Sequence, residues 1–117
     1  MEQVWGFLSP WGKELLHQSD CWYADGTFEV TANTLFSQMW IISAKDPDTG
    51  VTFPALQALL PNKKKEGYHL ILEMLKKGGH VAGPKVVHLD FEEGEINAFR
   101  HHYPESTILG CDIHFKR

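Results

Sequence analysis

Three apolar runs with strand-like character open the regular part of the chain. The segment 21–25 (CWYAD) reads as a strand ending in a carboxylate, and 27–30 (TFEV) continues it after Gly26. A second run, 35–44 (LFSQMWIISA), is rich in aromatic and β-branched residues. A third covers 51–60, where Pro54 implies an edge position or a bulge. Between the second and third lies Asp46-Pro47-Asp48-Thr49-Gly50, in which proline presets φ and glycine supplies a positive φ. Three strands joined by short connections predict an antiparallel meander.

The period then changes. Tyr68, Ile71, Leu72 and Leu75 recur at i, i+3, i+4 and i+7, one face of a helix. Asn62 suits its N-cap, and Gly78-Gly79 its stop, with Lys76 and Lys77 in the last turn. A short apolar strand, 85–89, leads to Asp90. A second helix follows. Glu92, Glu93 and Glu95 sit at its start and Arg100, His101 and His102 at its end, as the helix dipole favours. Ile96, Phe99 and Tyr103 form its buried stripe, and Pro104 ends it. A last strand spans 107–110. In the first 20 residues Pro10 and Gly12 break regular structure, leaving a short helix over 13–18. The predicted order is β-β-β-α-β-α-β.

Composition bounds what this pattern can do. The 117 residues suffice for one domain, and 43% hydrophobic content is near the globular norm. No apolar stretch is long enough to span a bilayer, and residues 1–9 lack the basic start and apolar run of a secretion signal. Two cysteines, Cys21 and Cys111, give no disulfide framework, which favours a reducing compartment. A net charge of −4 is not the global signature of a nucleic-acid binder, so an anionic partner must be met locally or through metal. The cluster Lys63-Lys64-Lys65 is the local basic candidate; its plainer reading is a solvated helix start.

Two carboxylates occupy matched places. Asp25 closes the first predicted strand and Asp90 the fourth. A right-handed crossover sets parallel strands side by side, which predicts a five-stranded mixed sheet in the order 3-2-1-4-5. Both aspartates then lie at one end of adjacent strands. Alone they repel; with Mg²⁺ or Mn²⁺ between them both ionise and can serve phosphoryl transfer. The plainer reading is that aspartates at strand ends form turns.

Four blocks in order carry a family resemblance: Asp25-Gly26-Thr27-Phe28 within WYADGTF, the ALQALLPNK run through Lys63, Asp90-Phe91-Glu92, and Cys111-Asp112-Ile113-His114. Together, from about residue 13 onward, they resemble the core of a Mutator-like element (MULE) transposase. The resemblance implies an α/β, ribonuclease H-like fold over residues 21–117, with 1–20 as a lead-in. It implies a DDE acidic triad with two Mg²⁺ or Mn²⁺ ions, Asp25 and Asp90 being its first two catalytic and metal-binding acids. Cys111 and His114 would form the family's C-x-x-H motif. Transposon-end and target DNA would be the partners, with no membrane, and the nucleus the location. The family's third acid, a glutamate on a helix beyond C-x-x-H, has no counterpart, since no Asp or Glu follows Asp112. The expectation is therefore a C-terminally incomplete domain with one sheet face left partly uncovered. The function implied is a fragment of an enzyme for metal-dependent DNA cleavage and strand transfer. The alternatives are a non-catalytic remnant that binds DNA or protein, and another ribonuclease H-like nuclease.

Other residues have plainer roles. Cys111 and His114 are half of a zinc site at most, which Cys21 and a further histidine would have to complete. His101-His102 suits a helix C-terminus, His88 a sheet face, and Glu92 and Glu93 a helix first turn. Trp22, Trp40, Phe36 and Phe53 are core candidates rather than stacking platforms for bases.

Overall fold

In this computed structural model, residues 4–28, 38–60, 65–89 and 92–110 are described. Six strands form one mixed sheet: β1 (Trp5–Leu8), β2 (Cys21–Phe28), β3 (Gln38–Lys45), β4 (Thr52–Leu60), β5 (Val86–Leu89) and β6 (Thr107–Gly110). Their order across the sheet is β1-β4-β3-β2-β5-β6. β1 to β4, β4 to β3 and β3 to β2 are antiparallel; β2 to β5 and β5 to β6 are parallel. The five predicted strands thus take the predicted order, with β2 and β5 side by side, but the sheet has six strands, not five.

The added strand has a physical reason for escaping the pattern. Gly6 occupies an inward position of β1, where a Cβ would come within 3.2 Å of Ile71 Cδ1. Of the two inward positions of β1, only Leu8 carries an apolar side chain, so the alternation that signals a strand is weak. The first helix, α1 (Pro10–Gln18), also starts earlier than the expected 13–18. Ser9 caps it, accepting from the Gly12 N–H at 2.9 Å, and proline at the first helical position loses no hydrogen bond there. Pro10 is a start signal here rather than a breaker. Gly12 lets α1 lie on β4: a Cβ there would sit 2.3 Å from the Ala55 carbonyl oxygen.

β2 does not end at Asp25. It continues through Asp25, opposite Ile41, and Gly26, opposite Trp40, to Phe28. Pro54 lies at a bulge, where the register steps from Ile42↔Leu56 to Ser43↔Pro54. β4 is not an edge strand, because β1 covers it from Leu56 to Leu59. The turn after β3 is tied by Gly50 N–H to Asp46 O and Asp46 N–H to Val51 O, each 2.8 Å, with Gly50 at φ +76°.

α2 (Lys65–Glu73) runs on into a π-helical turn, Met74–Gly78. Its predicted stripe of Tyr68, Ile71, Leu72 and Leu75 is buried. The predicted cap Asn62 lies outside the described residues. α3 (Glu93–His102) buries Ala98 and Phe99, with Tyr103 just beyond its end. α1 packs on β4 and β3, and α2 on α3. All meet one face of the sheet, where Trp40 stands edge-on to Tyr68 (centroids 4.8 Å) and Phe99 (6.0 Å), and Trp22 edge-on to Tyr103 (5.5 Å). Trp22 and Trp40 are core residues as expected. Phe53 is half-buried against Trp11, and Phe36 lies outside the described residues.

The opposite face has no helix on it among the described residues. Trp5 is 61% and Phe7 69% exposed, and with Met39, Gln57 and Leu59 they line a shallow groove of about 260 Å³.

Candidate functional site

Strand alternation places Asp25 on the open face. Trp22 and Ala24 point into the core, so Cys21, Tyr23 and Asp25 share the other side of β2. Asp25 is exposed, and the row Phe7, Gln57, Ile41, Asp25 crosses the sheet in register. Next to it Tyr23 lies opposite His88 of β5, their rings stacked at 4.6 Å and 9°. His88 is thus a sheet-face residue, as the alternation with Val87 and Leu89 implies. A hydrogen bond with the Cys21 side chain holds the Tyr23 phenol above its usual range, and partial burial adds to this.

The parallel ladder of β2 and β5 runs Cys21↔Val86, Trp22↔Val87, Tyr23↔His88. Asp25 stands two residues beyond its last pair, still held by β3. Asp90, Cys111, His114, Lys63 and Lys64 lie outside the described residues, and Lys65 opens α2. Of the sequence-derived site residues, Asp25 alone is therefore located in full. Among the described residues no group of three or more His, Cys, Asp or Glu is arranged to hold a metal ion. Asp25 offers an exposed oxygen donor on β2, the ligand type that a hard divalent cation takes.

Two polar clusters escape the sequence reading. The first is in the core. Glu92, Glu93 and Glu95 do stand at the start of α3, but Glu95 is only 2% exposed and accepts a hydrogen bond from Trp40 Nε1. Glu92 accepts one from the Tyr68 hydroxyl at 2.7 Å. The available signal is that Glu95 precedes Phe99 by four, which puts it on the buried stripe. The second joins α2 to α3. His101 and His102 occupy the helix C-terminus as expected, yet His102 Nε2 also lies 3.1 Å from His69 Nδ1. Burial, then the neighbouring His101 and His69, lower the pKa of His102. The Lys76 ammonium donates to the His102 carbonyl oxygen at 2.8 Å.

No helix of the described residues is long and apolar enough to cross a membrane. A comparison with curated proteins finds no match. The model of the MULE transposase domain matches residues 21–117, from the first residue of β2 onward; the chain belongs to that family, and its function is transposase-related.

Proposed function

We propose that the chain is the metal-binding core of a DDE-type DNA transposase, with Asp25 and Asp90 as the first two acids of the triad. The observation that carries this is the position of Asp25. It is an exposed carboxylate on the open face, on the strand that pairs in parallel with β5. In the sequence Asp90 directly follows Leu89, the last residue of β5. The strand order, three antiparallel strands followed by two parallel ones, supports a ribonuclease H-like topology with an added edge strand.

A divalent cation held there supplies charge neutralisation at a phosphodiester and a lowered pKa for a coordinated hydroxyl. Asp25 and Asp90 provide the oxygen ligands that Mg²⁺ and Mn²⁺ prefer. The DNA backbone approaches on the open face, which carries no helix among the described residues, and Lys63, Lys64 and Lys65 add phosphate contacts. A third acid, which the family resemblance puts after C-x-x-H, is not among these 117 residues. For these residues we therefore expect weak cation binding without efficient strand transfer, because in-line attack needs the full ligand geometry.

The test is thermal unfolding of the 117-residue chain with Mg²⁺ or Mn²⁺. A ligand that binds only the folded state raises the midpoint in a saturable way. Asp25→Asn and Asp90→Asn should each abolish the rise while retaining the wild-type far-UV circular dichroism spectrum. A rise unchanged in both variants, or none in the wild type, contradicts the proposal.

A further inference from the structure

β1 is the last strand on its side of the sheet. One of its edges pairs with β4 from Leu56 to Leu59; among the described residues no strand pairs with the other. Alternate backbone N–H and C=O groups along a free edge are a template for another strand. The residues of β1, Trp5 to Leu8, hold no charge, proline or bulge of the kind that blunts an edge. Apolar surface also flanks this edge on both sides. On the open face Trp5 and Phe7 border the groove with Met39 and Leu59. On the helix-covered side Leu70 and Met74 are 41% and 54% exposed and, with Leu8, line a second concavity of about 600 Å³. Trp5, Phe7, Leu70 and Met74 thus gather around one short strand.

That strand is complementary to a copy of itself. About a two-fold axis through Gly6, antiparallel pairing sets Trp5 opposite Phe7 of the second copy, and Phe7 opposite its Trp5. All four rings then lie on one face as cross-strand aromatic pairs. On the other face Gly6 meets Gly6, with no side chain to hold the strands apart. Met74 lies over this position, since a Cβ on Gly6 would be 4.0 Å from its Cε. An axis through Phe7 instead sets Trp5 opposite Ser9, beyond the end of β1, and breaks up the aromatic cluster. The rim also suits a copy. Glu73 and Lys77 lie one turn apart beside Met74, 3.1 Å from each other, so antiparallel copies of this helix bring acid to base. The water-exposed parts of Trp5 and Phe7 offer about 250 Å² per copy, and Leu70, Met74 and the strand backbone extend this towards the low end of specific interfaces.

We propose that β1 is a self-association edge, at which two copies of the chain pair β1 to β1, antiparallel about a two-fold axis at Gly6, and join their sheets edge to edge. β1 precedes residue 21, where the family match begins, so this edge is not a property of the matched segment. Asp25 is three strands away along the row Phe7, Gln57, Ile41, Asp25, about 14 Å at the usual strand spacing, and pairing leaves it uncovered. The modest contact area makes the dimer weak and reversible.

The experiment is sedimentation velocity of the 117-residue chain from about 1 to 100 µM, which spans the affinities of small interfaces. We expect a reversible passage from monomer to dimer that stops at the dimer. Trp5→Ser/Phe7→Ser should weaken association by about tenfold or more while retaining the wild-type far-UV spectrum. Asp25→Asn should leave it unchanged, so failure of this edge and failure of the Asp25 proposal are separable. The register is read by oxidising chains that carry Cys21→Ser and Cys111→Ser with either Trp5→Cys or Phe7→Cys. Directly opposite positions are within disulfide reach and diagonal ones are not, so the mixture should cross-link and each chain alone should not. A chain that stays monomeric throughout, growth past the dimer without a plateau, association unchanged in Trp5→Ser/Phe7→Ser, or equal cross-linking of each chain alone overturns the proposal.

Discussion

The two faces of the one sheet are written by the same strands and do opposite things. On the covered face Trp22, Trp40, Ile42, Leu60, Val87 and Leu89 are buried under α1, α2, α3 and the segments that follow them. The intervening residues, Tyr23, Ile41, Leu59 and Asp25, with Trp5 and Phe7 of β1, face outward. The covered face combines apolar packing with a few satisfied polar contacts such as Trp40 to Glu95. The open face mixes exposed aromatics with a carboxylate and a stacked Tyr–His pair. Stability is concentrated on one side and reactive groups on the other, and period-two alternation alone separates them.

The sharpest way to break this comparison is to truncate neighbours that point to opposite faces. Trp40→Ala removes a ring packed on Tyr68 and Phe99 and the donor to Glu95. It should cost about 3–5 kcal/mol, enough to unfold much of a marginally stable domain. Ile41→Ser, one residue on and facing out, should cost about 1 kcal/mol or less. Urea denaturation of both variants checks this, and similar losses would erase the distinction between the faces.

A smaller effect reports on the covered face through pH. Burial pushes the Tyr103 phenol well above its usual range, and its hydroxyl donates to the Val81 carbonyl oxygen at 3.1 Å. The folded pKa exceeds the unfolded value of about 10, so the folded state holds the proton more tightly. Its contribution to stability is full below pH 10 and is lost as pH rises above it. Tyr103→Phe should therefore lose about 1 kcal/mol at pH 8, from the missing hydrogen bond. Its stability should then fall less steeply than that of the wild type between pH 9 and 11, measured by urea midpoints. An equal slope would show that Tyr103 ionises as freely folded as unfolded.

The smallest expected stability effect belongs to the open face. The double variant Trp5→Ser/Phe7→Ser should change the unfolding free energy by about 1 kcal/mol or less, since both rings remain largely in water. It should instead lower binding of a hydrophobic dye and raise solubility, because an exposed apolar patch is a site of association. Dye fluorescence and light scattering at matched concentration test this. Loss of several kcal/mol would mean that the face is part of the core.

What was legible in the sequence followed the strength of the local signal. The α2 stripe is four large apolar side chains at helical spacing, and all four are buried. The strand order follows from one meander and the crossover rule. β1 is hidden because Gly6 leaves one of its two inner positions without a side chain, and the start of α1 because proline, a breaker inside a helix, is tolerated at its first position. The sequence marks the strand of Asp25 and its continuation through 27–30, but Gly26 reads as a break, so Asp25 looks like a strand end where β3 in fact pairs on to Phe28. The His69–His102 contact spans 33 residues, and no periodicity encodes it.

The central claim is that Asp25 on the open face binds a divalent cation together with Asp90. The most direct test is paramagnetic broadening of amide NMR signals by substoichiometric Mn²⁺ in the 117-residue chain. The account predicts that residues 24–26 of β2 and 88–90 broaden first, and that Asp25→Asn removes this effect while the spectrum stays that of a folded chain. Broadening centred elsewhere, or persisting unchanged in Asp25→Asn, would contradict it.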